Sequence, residues 1–342
     1  MKTVSSFLAI VAAAGLAVPA FAEAPVTVNV TNFVRAETDM YHQRIVDLGG
    51  FGGLMHIREP VPLDAQDVIR MNRDTLYSGV VIDLTEPASI VLPDSEGRFM
   101  SMLILNQDHY VVGVVHDAGT YHFTEKEVGT RYMSVLFRTF ADENDPSDIA
   151  EANALQDAIE VYQSNAGHFE VPNWDAASRD LTRELLLPLA QGLSGNTFEV
   201  FGTADAVNPI SHLVGAAAGW GGNPPAAAVY DIKFPDRNDG SIPHTLTVGD
   251  VPVDGFWSVT VYDASGYMVP NDAGAYSVNN VTSVPNEDGT VTIHFGDCED
   301  GRVNCLPIMD GWNYVVRLYQ PGPEILEDGW AFPIALPIDQ TS

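Results

Sequence analysis

The chain has 342 residues, of which 46 are acidic and 16 are basic, so its formal net charge is −30 at pH 7. A surface this acidic repels phosphate backbones and anionic lipid, so neither nucleic acid nor a membrane surface is an expected partner. The acidity reflects either solubility in salty surroundings or an acidic binding face, and we favour the first explanation.

The first 22 residues are typical of an export signal. Lys2 supplies a positive charge, Phe7–Val18 is a short apolar stretch, and residues 20–22 (Ala-Phe-Ala) form a small-x-small cleavage site. The apolar stretch is shorter than the roughly 20 residues that span a bilayer. We therefore expect cleavage after Ala22 and a soluble mature protein, periplasmic or secreted, that starts at Glu23.

Downstream of the signal, apolar residues recur first at helical and then at strand spacing. Asn32–Leu48 is predicted to be an amphipathic helix, and Asp64–Met71 a short helix that Asp64 caps. β-Branched and aromatic runs then predict a meander of antiparallel strands at Tyr77–Leu84, Ser89–Leu92, Phe99–Leu105, His109–Val115 and Tyr132–Phe140. After Pro146 the pattern is helical again, at Asp148–Gln163 and Trp174–Gln191, with short pieces to about Gly219.

The clearest break in the chain is the Gly-Gly-Asn-Pro-Pro run at residues 221–225, where we place a domain boundary. Beyond it, alternating runs such as Phe256–Tyr262, Thr290–Phe295 and Tyr314–Tyr319 indicate an antiparallel jelly roll or sandwich. The expected fold is mixed but mainly β. The expected units are a signal peptide (1–22), a β-rich N-terminal domain (23–145), a helical segment (146–220) and a C-terminal jelly-roll domain (226–342).

The two cysteines of the chain, Cys298 and Cys305, lie seven positions apart in a short loop. In an oxidising compartment this spacing favours a disulfide. The alternative is a pair of metal ligands, but no His or Cys companion lies nearby in the sequence.

Several motifs together carry a family resemblance. In the first half of the chain they are residues 72–78 (Asn-Arg-Asp-Thr-Leu-Tyr-Ser), Gly97-Arg98-Phe99 and Asp108. In the second half they are residues 255–263, 304–307, 317–321 and 329–333. These motifs resemble the N-terminal and C-terminal halves of a bacterial family that pairs domain of unknown function 1254 with domain of unknown function 1214. The resemblance covers nearly all of the mature chain. It implies a β-rich first domain, a helical insert and a C-terminal jelly roll, and it implies no reaction.

The first candidate ligand-binding cluster is Asn72, Asp74 and Tyr77, at a junction between helix and strand. Asn and Asp favour turns, so this cluster is either a hydrogen-bonding ligand site or the polar scaffold of a tight turn. Both interpretations stay open at the level of sequence.

The second candidate cluster is Arg317 with Tyr319, which share one face of a strand because side chains alternate. A buried Arg needs an acidic partner or an anionic ligand. Arg317 is therefore predicted either to pair with Asp74 or Asp108 across the domain interface, or to hold a substrate carboxylate. We expect this second cluster to converge with the first one across the interface.

The sequence contains no diagnostic catalytic motif. His109, His116 and His122 lie on one predicted hairpin, but without the spacing of a zinc site, and no metal is predicted. No glycine-rich phosphate loop follows a strand, and no cofactor is predicted.

Two functional hypotheses remain. One is an exported enzyme that acts on a small or saccharide-like molecule in a polar interdomain cleft. The other is a non-catalytic ligand-binding or envelope-interaction protein.

Overall fold

The structure, a computed structural model, describes residues 24–66, 69–193 and 199–338, and the predicted signal peptide lies outside them. The elements of the first part of the chain are α1 (Phe33–Asp47), β1 (Met55–Ile57), β2 (Thr75–Asp83), β3 (Ala88–Leu92), β4 (Met100–Asn106), β5 (Val111–Val115), β6 (Gly119–Phe123), α2 (Glu125–Val128), β7 (Tyr132–Phe140), α3 (Pro146–Asp157), β8 (Glu160–Gln163), α4 (Ala176–Leu186) and α5 (Pro209–Gly219). A 3-10 helix, Leu187–Leu193, follows α4.

The second part of the chain is almost entirely β-structure. Its elements are β9 (Ala228–Lys233), β10 (His244–Val248), β11 (Trp257–Tyr262), β12 (Ser277–Asn279), β13 (Val291–Phe295), β14 (Cys305–Leu306), β15 (Asn313–Tyr319), α6 (Pro323–Leu326) and β16 (Leu336–Pro337). A short 3-10 helix, Cys298–Asp300, precedes β14.

A five-stranded sheet in the order β1-β2-β7-β4-β5 is the centre of the first part. One face packs on a three-stranded sheet, β6-β3-β8, through a core that includes Ile82, Ile90 and Phe137. The other face packs on α1 through Ile45 and Val81. Because both faces are covered, β2 and β4 are buried along almost their whole length.

The predicted meander is wrong, although each of its five runs contains a strand. β2 pairs with β7 along its whole length, and β3 leaves the central sheet to pair with β6 and β8. Glu160–Gln163, predicted as helix, is the edge strand β8 of that second sheet. Strand exchange between two packed sheets depends on tertiary packing, which local periodicity does not report.

The predicted helix Asp64–Met71 is also wrong, since its described residues form turns and irregular backbone; residues 67 and 68 lie outside the described chain. The side chain of Gln66 and the backbone of Met268 bond to each other in both directions, at 2.9 Å each. Arg70 has a positive φ of 55° and donates its N–H to the carbonyl of Gly266 at 2.7 Å. The segment therefore bonds to the second part of the chain instead of to itself.

Two four-stranded sheets, β14-β13-β10-β16 and β12-β11-β15-β9, form a sandwich in the second part of the chain. Their shared core includes Val259, Ile293, Phe295, Trp312 and Val316. The predicted mainly β fold with a C-terminal sandwich is confirmed. The strands pair antiparallel except β13 with β14.

The predicted disulfide between Cys298 and Cys305 is formed, with an S–S distance of 2.08 Å. It closes the loop between β13 and β14. Among the residues that the structure describes, no helix is both long and apolar enough to cross a membrane. The domain boundaries stay predictions.

Candidate functional site

One face of the sheet β12-β11-β15-β9 packs in the sandwich core, and the opposite face is polar. Side chains alternate along a strand, and directly opposed residues share a face. Ser258 lies opposite both Arg317 and Asn279, and Thr260 lies opposite Ser277. We call this surface the polar face; it comprises Tyr230, Ser258, Thr260, Tyr262, Ser277, Asn279, Arg317 and Tyr319. β11 and β15 are nonetheless buried throughout, because the first part of the chain covers the polar face.

Residues 70–77 are the segment that lies on the polar face. The side chain of Asn72 shapes the turn, because its carbonyl oxygen accepts a hydrogen bond from the backbone N–H of Asp74 at 2.9 Å. Its amide nitrogen donates to Thr75 Oγ1 at 3.0 Å and to the phenol oxygen of Tyr319 at 3.1 Å. Burial raises the pKa of Tyr319 well above its usual value, so the phenol stays protonated.

The guanidinium of Arg317 is buried on the polar face and has no carboxylate partner in the described chain. It donates to Thr260 Oγ1 at 2.9 Å, to the phenol of Tyr262 at 2.6 Å and to the backbone carbonyl of Arg70 at 2.8 Å. The predicted ion pair of Arg317 with Asp74 or Asp108 is therefore wrong. Neutral oxygen atoms, including a carbonyl that the turn at residue 70 presents, take the place of the acid.

Asp74 lies on the polar face without contacting Arg317 directly. Its Oδ1 accepts hydrogen bonds from Ser277 Oγ at 2.8 Å and from Asn279 Nδ2 at 3.2 Å. Its Oδ2 is buried and has no hydrogen-bond partner among the described residues. Asp74 thus connects strand β12 to the first part of the chain through one carboxylate oxygen only.

A second buried arginine, Arg138, lies beside Tyr77, and it was not among the predicted site residues. Its guanidinium carbon is 5.6 Å from the centre of the Tyr77 ring. It donates to the carbonyl of Gly221 at 2.9 Å and to Asn223 Oδ1 at 3.3 Å, and Asn223 in turn donates to the phenol of Tyr230. A lone charged residue in the apolar strand β7 was the signal that could have revealed it.

Asp108 is the predicted site residue that the structure does not bring to the polar face. Its carboxylate accepts a hydrogen bond from Arg35 Nε at 2.8 Å and is about half exposed. No contact joins Asp108 to Asn72, Asp74 or Arg317 within the described chain. Asn72, Asp74, Arg317 and Tyr319 do converge, and Tyr77 lies beside Arg138. The role of these residues in ligand binding stays a prediction.

An aromatic cluster separates the polar face from a large cleft. The ring of Tyr319 stacks on Phe256 with the centroids 4.4 Å apart, and Phe99 lies 5.0 Å from Phe256 and 5.1 Å from Tyr319. Phe140 packs on the edge of Phe256 at 5.0 Å. Gly255 permits this packing, because a Cβ there would lie 2.8 Å from the carbonyl oxygen of Tyr319.

The large cleft has a volume of about 890 Å³ and lies where the two parts of the chain meet. Phe99, Phe140 and Phe256 line it, and Tyr319 of the polar face packs on Phe99 and Phe256. Six carboxylates also line it: Asp94, Glu96, Asp117, Asp148, Glu151 and Asp254.

Arg98 is the one basic side chain among the lining residues of the large cleft. It bonds in bidentate fashion to Asp148, at 2.6 and 2.8 Å, and to Glu151 at 3.0 Å. The hydrogen bonds from Arg98 lower the pKa of Asp148 despite its partial burial. The cleft therefore keeps an excess of negative charge.

His116 lies on the wall between the large cleft and a smaller groove of about 420 Å³, and it lines both. Its Nδ1 is 3.0 Å from the carbonyl oxygen of Met100, which requires the proton on Nδ1 and leaves the lone pair on Nε2. Burial lowers the pKa of His116, so the ring is neutral near pH 7. Nε2 has no hydrogen-bond partner in the described chain.

Among the residues that the structure describes, no group of three or more His, Cys, Asp or Glu side chains is arranged to hold a metal ion.

These features define a mainly β protein in two parts, with a polar interface and an acidic cleft between them. Residues 51–163 match the family model described as protein of unknown function (DUF1254), and residues 228–323 match the one described as protein of unknown function (DUF1214). The chain thus combines these two domains in this order, as its motifs predicted.

Among solved structures, the chain is similar to the VPA0106 protein from Vibrio parahaemolyticus. The identity is 16%, the match covers 91% of this chain and 98% of that one, and the TM-score is 0.69, which shows the fold alone. A protein from Burkholderia cenocepacia matches with 12% identity, 86% and 84% coverage and a TM-score of 0.47. No curated protein matches the chain.

Proposed function

We propose that the protein binds a small, saccharide-like molecule without negative charge in the large cleft. The observation that carries the proposal is the combination of an aromatic wall and a carboxylate-rich rim in one cleft of about 890 Å³. This volume falls within the range of small-molecule sites, which combine apolar walls with a few polar groups. Carboxylates accept hydrogen bonds from hydroxyl and ammonium groups, and they repel anions.

The binding residues follow from the geometry of the cleft. Phe99, which is partly exposed, provides the face on which an apolar side of a sugar ring can pack. Glu151 is exposed and contributes a carboxylate that Arg98 only partly occupies. Tyr319 of the polar face packs on Phe99 and Phe256, so in this proposal it supports the aromatic wall, and Asn72 holds Tyr319 by a hydrogen bond.

Binding can be tested by nuclear magnetic resonance with the isotope-labelled protein and three matched sugars: glucose, glucosamine and glucuronate. We expect glucose or glucosamine to shift amide signals around the large cleft, and glucuronate to leave them unchanged. Glu151→Gln should weaken binding, whereas Glu184→Gln, an exposed acid on α4, should not. Phe99→Ala should abolish binding, with Phe234→Ala, at an exposed ring that does not line the cleft, as its control. Preferential binding of glucuronate would contradict the proposal.

Catalysis in the same cleft is a second candidate, favoured by His116. His116 lines both cavities, and a neutral imidazole with its proton held on Nδ1 offers Nε2 as a general base. Any sugar found to bind should then be followed by nuclear magnetic resonance for chemical conversion over time. Conversion by the natural protein but not by His116→Gln supports an enzyme. Binding without conversion supports a non-catalytic ligand-binding protein.

We further propose that the protein is exported and works in the periplasm or outside the cell. The motivation is the N-terminal signal pattern together with the disulfide between Cys298 and Cys305, a bond typical of oxidising compartments.

A further inference from the structure

The edge strand β5 is bordered by the smaller groove. β5 is the last strand of the five-stranded sheet, and its sequence, Val-Val-Gly-Val-Val, contains no charge and no proline. Residues 111–114 of this strand line the groove, together with Pro224, Ala226, Ala227 and Pro321. Natural sheets normally protect such an edge with charges, proline or a covering segment.

The hydrogen-bonding groups on the outer side of β5 are only partly used. The N–H of Val111 donates to the carbonyl of Gly202 at 2.9 Å. From Val112 to Val115, no backbone group bonds to anything beyond the sheet within the described chain. Gly113 has no side chain, and a Cβ added there would meet only Ile104 Cδ1, at 3.8 Å. A glycine inside a strand is a place where another backbone can approach closely.

We propose that the smaller groove receives an extended, basic peptide segment of a partner protein, which adds to β5 as an antiparallel or parallel strand. Backbone hydrogen bonds to the outer side of β5 would provide the affinity, and alternate side chains of the peptide would face the two walls. This inference goes beyond the proposed binding of a small molecule in the large cleft.

The charge of the groove selects the chemistry of the partner. Asp254 is the one charged side chain in the lining, since His116 is neutral near pH 7. The acidic large cleft adjoins the groove, because His116, Asp254 and Gln320 line both cavities. A basic side chain of the bound peptide is therefore attracted by Asp254 in the groove and by the carboxylates of the adjoining large cleft. A second copy of this chain is disfavoured as the occupant, because each copy carries a formal charge of −30.

The test uses three synthetic heptapeptides of alternating residues, measured by calorimetry at physiological salt. They are a valine–lysine peptide, a valine–glutamate peptide and a fully N-methylated valine–lysine peptide. We expect the first to bind, the second to bind at least about tenfold more weakly because of charge repulsion, and the third to lose binding because it cannot donate backbone hydrogen bonds. Amide signals of Gly113 and Val114 should shift with the first peptide.

Matched variants of the protein locate the contact. Val112→Lys places a charge on the exposed edge and should weaken the valine–lysine peptide at least about tenfold, as edge lysines do in natural sheets. Asp254→Asn should weaken it less, and Asp250→Asn, an exposed acid that does not line the groove, should leave it unchanged. Glu151 lines only the large cleft. Glu151→Gln should therefore weaken sugar binding and leave binding of the valine–lysine peptide unchanged.

Several results would overturn the inference. The first is the absence of binding by the valine–lysine peptide at millimolar concentration. The second is equal binding of the N-methylated or the glutamate peptide. The third is binding that Val112→Lys does not alter while the variant keeps the melting temperature of the natural protein, since the peptide then binds another acidic surface.

Discussion

The side-chain amide of Asn72 donates a hydrogen bond to the phenol of Tyr319, across a sequence separation of 247 residues. The two residues come from the two motif regions that resemble the two halves of the family. Tyr319 also stacks on Phe256 at the large cleft, so this hydrogen bond couples the segment on the polar face to the aromatic wall. The interface between the two parts of the chain is therefore held by directional polar contacts, and it supports the cleft that we propose as the ligand site.

Tyr319→Phe should destabilise the protein by roughly 1–3 kcal/mol, because the buried amide of Asn72 loses an acceptor while the ring packing is kept. Urea unfolding measures the change in the free energy of unfolding. Tyr162→Phe is the matched control: its phenol is 56% exposed and donates only to Glu160. The control should stay within about 0.5 kcal/mol of the natural protein. Equal effects of both variants would contradict a structural role for the bond to Asn72.

Arg317→Met should cost about 3 kcal/mol or more, because it leaves a buried carbonyl and two buried hydroxyl groups without their donor. Arg35→Met is the control, since Arg35 is 36% exposed and forms a surface ion pair with Asp108. Such pairs contribute at most about 1 kcal/mol. Chemical denaturation of both variants checks the prediction. An unchanged melting temperature of Arg317→Met would show that Arg317 is free to serve a ligand.

Acid should destabilise the protein through His42 and His109, two fully buried histidines. Burial lowers the pKa of each from the usual 6.5 to about 3, and neither nitrogen of His42 has a hydrogen-bond partner in the described chain. The unfolded state therefore binds more protons below pH 6.5. The contribution to stability is complete above that pH and is lost as the pH falls towards 3, with a size on the order of a few kcal/mol.

The variant His42→Phe isolates this effect from the titration of carboxylates. We expect the free energy of unfolding to fall less steeply between about pH 7 and pH 4 in the variant, because it lacks one histidine whose pKa is lowered by burial. Identical slopes for the variant and the natural protein would refute the assignment. Phenylalanine is suitable because His42 packs among the rings of Phe169 and Trp220.

Replacing Cys298 and Cys305 together by serine should reduce stability by about 2–3 kcal/mol, the effect expected for a short loop closed by a disulfide. The measurement is urea unfolding of the double variant beside the natural protein. The reduced natural protein should unfold at the same denaturant concentration as the variant. Thiol titration of protein from its native host, under denaturing and non-reducing conditions, should find no free thiol.

Protein isolated from its native host should begin at Glu23, because the signal peptidase cuts after the small residue Ala22. Intact-mass spectrometry decides between the cleaved and the uncleaved chain. Ala22→Arg should block the cut, since the enzyme requires a small residue there. Retention of Met1–Ala22 in the natural protein would remove the basis for the proposed export.

Much of the local structure was predictable because it depends on neighbouring residues. Helix α1 follows the apolar spacing of Asn32–Leu48, and β7 coincides with the predicted strand Tyr132–Phe140. The C-terminal sandwich follows from alternation, as in Phe256–Tyr262, and the disulfide from a seven-residue spacing in a loop. These features depend on the spacing of apolar side chains, on residues that favour turns, and on the distance that a short loop spans. All three are properties of short segments.

The partners of the charged residues depended on the tertiary structure. Arg317 was predicted to need an acidic partner or an anionic ligand, but the turn at Arg70 brings a backbone carbonyl to it. The N–H of Arg70 bonds to the carbonyl of Gly266 in the second part of the chain. The partners of Arg138 and the large cleft both form only where separate parts of the chain pack together. Sequence alone thus determined most of the longer strands and the shared strand face of Arg317 and Tyr319, whereas the short edge strand β8 was predicted as helix. Only the packed chain decided which polar atoms meet, because a buried donor can bond to any correctly placed oxygen, from a side chain or from the backbone.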